Sequence, residues 1–211
     1  MHSRAKILYV SSGAVYGPQP PDLDNLNEAY LLDGLRGFVG GKRHYAIAKR
    51  DAESAVQELG RQGLNVAIAR CFAFVGSWLP RDQHFAIGNF IEDGFLGRPI
   101  NVKSTIPVYR SYMHADDLVY WLMTICDSAN LGCPIYNVGS DESISIGQLA
   151  DLISKRFEVE VNKAELSQGT ADRYIPSINK AKNELGLNLS MDLTSAIDKT
   201  VDDIRMRKLY A

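Results

Sequence analysis

Cysteine is scarce in this sequence and long apolar runs are missing, and each shortage excludes a class of protein. The three cysteines, Cys71, Cys126 and Cys133, are odd in number and have no C-x-x-C spacing. They predict reduced, buried thiols rather than a disulfide framework or a zinc site. No apolar run reaches about 18 residues and no signal-like N-terminus is present, which predicts a cytoplasmic protein without a membrane partner.

Basic residues are not in excess either. The formal net charge is −2 and the isoelectric point lies near 6.1, which argues against a nucleic-acid partner. The 211 residues are 45% hydrophobic and 23% charged. This is the composition of a globular protein that is long enough to bury a substantial core.

Strand and helix signals alternate in the first part of the chain. KILYVSS is an apolar run typical of a parallel strand covered on both faces, and NVAIARCF predicts the next strand. Between them, a helix is predicted to run to about Leu59 and to end at Gly60 and Gly63. Residues 18–41, rich in Pro, Gly, Asp and Asn, predict a long functional loop. This is the strand–helix–strand unit of an α/β fold.

Beyond Gly76 the pattern predicts shorter, mixed elements. Three helices have recognisable ends: HFAIGNFIEDGFLG stops at Gly97, INKAKNELG stops at Gly186, and SIGQLADLISKRF opens with a Ser145–Gln148 capping box. ADDLVYWLMTICDSA and DLTSAIDKTVDDIRMRK are further amphipathic helices.

Tyr45 and Lys49 are the most informative pair, because residues four apart share one face of a helix. The lysine ammonium can approach the phenol and favour its ionised form, which a base at neutral pH requires since a free tyrosine titrates near ~10. Ser12, at the predicted end of KILYVSS, could hydrogen-bond a substrate oxygen. Alone the pair is weak evidence, since Tyr and Lys at this spacing occur on many helices with the lysine merely solvated.

Six motifs follow in a fixed order: SSGAVYG, YAIAK, NVAIARCF, VYRSYMHADDL, YNVGS and ADRYIPS. With them the chain resembles the extended short-chain dehydrogenase/reductase family, in particular its nucleotide-sugar epimerases and dehydratases. The resemblance covers nearly all 211 residues. It implies a partial Rossmann-type parallel sheet that lacks its N-terminal strands, in residues 1–76. A smaller mixed α/β substrate-binding lobe, with elements returning to the Rossmann domain, would occupy residues 77–211.

The resemblance also implies roles for individual residues. Ser12, Tyr45 and Lys49 would be catalytic, with the tyrosine as acid/base and the lysine holding the nicotinamide ribose of NAD, or of NADP in its place. Ser11 and Phe72 would join Tyr45 and Lys49 in binding the cofactor. The substrate-binding residues implied are Ser12, Ala73, Asn89, Arg110, Arg173 and Tyr174. Arg110 would bind the nucleotide diphosphate and Arg173–Tyr174 would make a second phosphate and nucleotide contact, although a surface arginine is the alternative for Arg110.

Departures from the family pattern bear on the reaction. The family's dehydratases place an acidic pair after the catalytic Ser/Thr, where this chain has Gly13–Ala14, and its epimerases have an asparagine where this chain has Ala73. We therefore expect 4-epimerisation of a nucleotide sugar through a 4-keto intermediate. The alternatives are a 4,6-dehydratase or decarboxylase, and a truncated remnant that binds nucleotide sugar or self-associates without turnover.

The family's glycine-rich cofactor turn is not found after any predicted strand. Neither G-x-G-x-x-G nor G-x-x-G-x-x-G follows one, so the pyrophosphate site at a helix N-terminus is missing. We expect the chain alone to bind NAD weakly, and a homo-oligomer or a separate N-terminal half as partner. An open sheet edge near Ile7 to Val10 would favour self-association.

Other candidates favour structural roles. His44, His84 and His114 lack metal-ligand spacing, so no metal is expected. Asp116 and Asp117 stand at a helix start, where capping is the simpler role. Trp78, Phe72 and Phe74 could stack on a base or nicotinamide, while core packing is the expectation for at least two of the three.

Overall fold

The computed structural model describes residues 5–30, 37, 39–81, 83 and 85–210. His84 and positions 31–36 and 38 of the predicted loop therefore lie outside the described residues. The strands are β1 (Lys6–Ser12), β2 (Asn65–Cys71), β3 (Phe74–Val75), β4 (Ile100–Val102), β5 (Val108–Arg110), β6 (Met113–His114), β7 (Ile135–Val138), β8 (Ile144–Ser145), β9 (Val161–Lys163) and β10 (Asp172–Tyr174). The α-helices are α1 (Gly40–Arg61), α2 (Ala86–Phe95), α3 (Ala115–Asp127), α4 (Ile146–Phe157), α5 (Asn179–Leu185) and α6 (Leu193–Tyr210).

The principal sheet is parallel, with strand order β1–β2–β7. β1 and β2 pair along their whole length, and the last pair joins Ser12 to Cys71. β2 and β7 end together with Cys71 opposite Val138. The carboxyl ends of three strands therefore meet at one edge of the sheet, which is where open α/β folds bind ligands. The predicted α/β fold with a parallel Rossmann-type sheet is confirmed.

Alternation along β2 attaches one helix to each face of this sheet. Val66 and Ile68 point to α1, where Val56 and Leu59 pack on them. The alternate residues Ala67 and Ala69 face α3, and their small side chains make room for Trp121 and Ile125. Successive strand residues point to opposite faces, so one seven-residue strand organises two cores.

The end of α1 differs slightly from the prediction. Gly60 lies inside the last turn rather than after it. A Cβ at this position would come 3.0 Å from both the Leu131 carbonyl and Val66, so the close packing there requires a glycine. The helix ends at Arg61, and the turn is completed at Gly63 with a positive φ of 96°. Gly60 is thus needed for close packing and Gly63 for the left-handed backbone.

A second core lies among α2, α4 and α6. It includes Ile91 of α2, Ile153 of α4 and Ile197 of α6, all buried. The predicted capping box of α4 is confirmed, with the Ser145 hydroxyl accepting from the Gln148 amide and the Gln148 side chain accepting from Ser145. The boundary between residues 1–76 and 77–211 stays a prediction.

Strand β1 is an edge strand among the described residues. Its expected cover on both faces is absent from part of its length, since Ile7 is 37% and Val10 45% exposed. An exposed apolar edge offers unpaired backbone groups to another strand, as the self-association hypothesis requires. Across the described residues, the helices are all too short or too polar to cross a membrane.

The cysteines and three aromatic residues occupy buried, partly buried and exposed positions in the fold. The cysteines are free thiols, and Cys71 and Cys133 are buried as predicted, whereas Cys126 is partly exposed. Phe72 is buried and Phe74 packs against the sheet core, as expected for two of the three aromatic residues. Trp78 is exposed, and the Arg207 guanidinium lies 3.9 Å from its ring centroid.

The cap of α3 corrects the prediction for Asp116 and Asp117. His114 is the N-cap, and its Nδ1 accepts from the Asp116 amide at 3.1 Å. Asp117 is buried in the first turn and accepts from the Ser190 amide. The imidazole takes the acceptor role that a carboxylate was expected to take, and the aspartates contribute charge at the positive end of the helix dipole.

Acidification is expected to lower stability through His114. Burial is the main cause that lowers the pKa of His114, and Lys199 acts in the same direction, against Asp116, Asp117 and Asp203. An unfolded histidine takes up its proton near ~6.5, so below that pH the unfolded state binds more protons and stability falls as pH falls. Urea unfolding between about pH 7.5 and about pH 5.5 should show this loss. In His114→Asn, which keeps a capping acceptor, the loss should be smaller; an identical loss would contradict the prediction.

Candidate functional site

A cleft of 1360 Å³ opens at the carboxyl edge of β1 and β2. Nine of the ten site residues expected from the sequence line it: Ser11, Ser12, Tyr45, Lys49, Phe72, Ala73, Asn89, Arg110 and Tyr174. Arg173 does not line it. Residues from β1, α1, β2 and the second core therefore converge on one concave surface, as in a small-molecule site.

Ser12 occupies the turn at the end of β1. It caps a short 3-10 turn, Gly13–Tyr16, and its Oγ accepts from the Ala14 amide at 3.2 Å. The same oxygen lies 3.4 Å from the Tyr174 hydroxyl. The Ser12 hydroxyl is thereby held at the floor of the cleft.

Lys49 joins α1 to the end of β1. Its Nζ donates to the Val10 carbonyl at 2.9 Å and lies 5.1 Å from the Tyr9 ring centroid and 5.8 Å from the Tyr45 ring centroid. Tyr45 is 51% exposed, on the cleft side of the same helix. The predicted juxtaposition of Tyr45, Lys49 and Ser12 around one cleft is what the fold produces, while their chemical roles stay predictions.

Burial raises the pKa values of three other groups that line the cleft. Burial raises the pKa of the Cys71 thiol to about 12 and the pKa of Tyr112 to about 12. It raises the pKa of Tyr174 further. Among the described tyrosines that line the cleft, Tyr45 is the one that is more than half exposed, and the Lys49 ammonium lies 5.8 Å from its ring centroid.

Charge in the cleft favours an anionic ligand. Among its described lining residues, Lys42, Lys49, Lys103 and Arg110 carry positive charge and Asp93 is the one carboxylate. Asp93 is paired with Arg98 at 2.7 Å. Because the whole chain has a net charge of −2, this local excess of cations is a property of the site.

The two predicted phosphate-binding arginines are engaged within the protein. Arg110 pairs with the Asp172 carboxylate at 2.7 Å and also donates to the Asp172 carbonyl at 3.0 Å. The Arg173 guanidinium stacks 4.6 Å from the Tyr109 ring centroid, and its Nε is buried without a hydrogen-bond partner among the described residues. Arg110 lines the cleft and would have to share its charge between Asp172 and a ligand.

A buried polar network beside Ser12 was missed at the sequence level. Glu53 of α1 accepts from the Ser11 hydroxyl at 2.5 Å and pairs with Arg70 of β2 at 2.7 Å. Arg70 donates to the Tyr16 hydroxyl at 2.9 Å, which donates to Asn137 at 2.7 Å. The signal was an arginine inside the apolar run NVAIARC, since a charge buried in a strand requires a partner.

Gly13 shows how tightly the floor of the cleft is built. A Cβ at this position would lie 2.6 Å from Phe72 and 2.7 Å from the Tyr174 hydroxyl. The two rings pack against each other with their centroids 4.6 Å apart and their planes tilted by 33°. Position 13 therefore accepts only glycine unless this aromatic pair moves.

In the part of the chain that the structure describes, no group of three His, Cys, Asp or Glu side chains that could hold a metal ion is found.

A profile of the NAD dependent epimerase/dehydratase family matches residues 1–139. The chain belongs to this family.

Curated relatives of this family member include UDP-glucuronic acid decarboxylases. Decarboxylase 6 of Arabidopsis thaliana is 28% identical over 206 residues, which cover 96% of this chain and 58% of that protein. Decarboxylase 1 of Danio rerio is 29% identical over 200 residues, covering 93% of this chain and 46% of that protein. The chain therefore spans about half the length of the curated relatives that it matches.

Solved structures of similar fold include two other nucleotide-sugar enzymes. UDP-glucose 4-epimerase of Thermotoga maritima, solved with UDP-glucose, gives a TM-score of 0.79 at 19% identity and covers 96% of this chain and 63% of its own. dTDP-glucose 4,6-dehydratase of Bacillus anthracis, solved with NAD, gives a TM-score of 0.79 at 16% identity. The match covers 97% of this chain and 63% of the dehydratase chain. Likeness at these identities shows the fold.

Proposed function

We propose that this chain provides the proton-transfer and sugar-nucleotide side of an NAD-dependent nucleotide-sugar enzyme. The observation that carries the proposal is the convergence of Ser12, Tyr45 and Lys49 on one positively charged cleft at the carboxyl edge of β1 and β2. Family membership supports it. A nucleotide diphosphate would satisfy the excess of cations, and the sugar would lie over Ser12.

Each residue then has a definite task. Tyr45 removes the proton from a sugar hydroxyl and returns it, because it is the exposed phenol of the cleft and has a cation beside it. Ser12 hydrogen-bonds the oxygen that loses the proton. Lys49, fixed by the Val10 carbonyl, holds positive charge near the phenol as it ionises. Arg110 contacts the diphosphate.

The residues present fit the nicotinamide-ribose side of NAD. Lys49 and Tyr45 line the cleft at the end of β1 together with Phe72, whereas the Ser11 hydroxyl is committed to Glu53 and leaves only its backbone for a cofactor. When bound, NAD would supply a hydride acceptor and donor at the sugar ring.

The pyrophosphate side of NAD has no matching feature in the described residues. Gly34, Gly37 and Gly40 have the G-x-x-G-x-x-G spacing, but β1 ends far before them at Ser12 and Gly40 is already the first residue of α1. Gly34 lies outside the described residues. The contacts that such a turn makes to phosphate would come from a polypeptide that carries a strand, a glycine-rich turn and a helix. A second copy, or such a polypeptide, docking on β1 would also cover the exposed edge.

Within this class we favour 4-epimerisation. Gly13–Ala14 offers no second acid/base after Ser12, and the Phe72–Tyr174 pair leaves no room for one at position 13. Decarboxylation of a UDP-glucuronic acid is the second candidate, because the curated relatives are named UDP-glucuronic acid decarboxylases. A non-catalytic protein that binds nucleotide sugar is the third.

Reaction in D₂O separates these candidates. The protein is incubated with NAD and with UDP-glucose, dTDP-glucose or UDP-glucuronic acid, alone and together with a polypeptide that carries a glycine-rich strand–turn–helix. Epimerisation breaks no bond at C5 and should give a C4 epimer without deuterium. Decarboxylation replaces the carboxylate by a solvent hydrogen, and 4,6-dehydration removes the C5 hydrogen, so both incorporate deuterium. Binding without any turnover would refute the enzymatic proposal.

A further inference from the structure

Tyr174 has surroundings that a nucleotide contact does not explain. It ends β10, lies opposite Arg110 of β5, and turns its ring onto Phe72 rather than outward. Its hydroxyl lies 3.4 Å from the Ser12 Oγ and 3.4 Å from the Cys71 carbonyl. The phenol therefore stands between the ends of β1 and β2, directly behind the proposed catalytic serine.

The hydrogen bonds around Ser12 define what Tyr174 does there. The Ser12 Oγ already accepts from the Ala14 amide at 3.2 Å, so its own hydrogen is free to be donated. The Cys71 carbonyl can only accept, which orients the Tyr174 hydrogen toward it and lets the phenol oxygen accept from Ser12. When Ser12 donates its hydrogen bond to a sugar oxygen, the Tyr174 hydroxyl can rotate and donate a hydrogen bond to the Ser12 Oγ. Both 3.4 Å contacts are longer than an ordinary O–H···O hydrogen bond, and we expect them to shorten when the ligand binds.

The same ring controls the neighbouring position. A side chain at Gly13 would need the space occupied by the Tyr174 hydroxyl at 2.7 Å and the edge of Phe72 at 2.6 Å. An acidic side chain at position 13 and this placement of Tyr174 are therefore mutually exclusive.

We propose that Tyr174 is a positioning residue for Ser12, and that the Phe72–Tyr174 pair determines specificity by excluding a second acid/base at position 13. This inference rests on the proposed function. Tyr174 stays neutral because burial raises its pKa, so it orients the serine without acting as a base. The site is then suited to a reaction in which one hydroxyl proton leaves and returns.

An NMR experiment tests the positioning role without requiring turnover. The amide of Ala14 reports on the Ser12 Oγ that it donates to, and Ser12→Ala shows the shift expected when that acceptor is lost. Tyr174→Phe keeps the ring and removes the hydroxyl, so it should move the Ala14 amide in the same direction. Tyr120→Phe, at a tyrosine that is 63% exposed on α3, should not. An unmoved Ala14 amide in Tyr174→Phe would overturn the proposal.

Steady-state kinetics provide a second test of the positioning role of Tyr174. Tyr174→Phe should lower kcat about 10- to 100-fold, as expected for a misplaced reacting group, with little change in KM. In the Ser12→Ala background it should cause no further loss, because its effect passes through Ser12. Equal losses in both backgrounds would mean a merely structural role. If the unmodified protein shows no turnover even together with the polypeptide that carries the glycine-rich strand–turn–helix, the proposed function fails, while the Ala14 amide still decides the positioning role.

The exclusion of a side chain at position 13 is tested separately, with a matched control variant. Gly13→Ala should lower the unfolding temperature and move the Ala14 amide, since Phe72 and Tyr174 must shift. Gly41→Ala, where a Cβ meets nothing within 4 Å, should do neither. Unchanged stability and an unmoved amide in Gly13→Ala would show that position 13 tolerates a side chain and would refute the exclusion.

Discussion

Replacing Glu53 by alanine is expected to lower the free energy of unfolding by about 3–5 kcal/mol, because it leaves a buried arginine without its counter-charge. Arg70 is held by Glu53 at 2.7 Å, and both side chains are almost fully buried. The change also removes the acceptor of the Ser11 hydroxyl, which donates to the same carboxylate. Equilibrium unfolding in urea measures the loss.

Glu58→Ala is the matched control for this prediction. Glu58 lies on the same helix and pairs with Arg61 at 2.7 Å, but both side chains are exposed to solvent. Exposed pairs contribute little, so we expect almost no change. Comparable losses in the two variants would mean that helix α1 is generally sensitive to substitution. They would contradict the prediction that loss of the buried Glu53–Arg70 pair lowers stability more than loss of an exposed pair.

Replacing Tyr45 by phenylalanine is expected to lower turnover by about 10²–10⁴-fold, the usual contribution of a general acid/base. The ring stays and only the ionisable hydroxyl is lost. Since Tyr45 is 51% exposed, stability should hardly change. Affinity for the nucleotide sugar should also be retained, because the diphosphate contacts lie elsewhere in the cleft.

Turnover of Tyr45→Phe is compared with that of Tyr120→Phe, assayed alone and with the complementing polypeptide. Tyr120 lies outside the cleft, so its variant should behave as the unmodified protein does. If the two variants turn over equally fast, the acid/base has been misassigned.

Local patterns account for what the sequence predicted well. The apolar runs of β1 and β2, the Ser145 capping box and the Y-x-x-x-K spacing each depend on residues within one or two turns of one another. The family's motif order then placed Ser12 and Tyr45 in one site, and the structure shows them lining one cleft. Such features need no knowledge of distant contacts.

Long-range contacts account for what the sequence could not predict. Ser12 meets Tyr174 across a separation of 162 residues, and Arg110 meets Asp172 across 62. Neither pair has a periodicity that would link its members. The steric reason for a glycine at position 13 is visible only when Phe72 and Tyr174 are seen beside it. Arg70 hinted at a buried partner, but its choice of Glu53 depends on how α1 packs on β2.

Titration of the chain with UDP-glucose and UDP-glucuronic acid, followed by amide NMR, tests the central claim most directly. If the cleft is a nucleotide-sugar site, the largest shifts should fall on Ser12 to Ala14, on Tyr45 and Lys49, and on Arg110. Uridine alone should shift fewer of these amides, because it has neither diphosphate nor sugar. Shifts that cluster outside the cleft, or no saturable shifts at all, would contradict the assignment of this site.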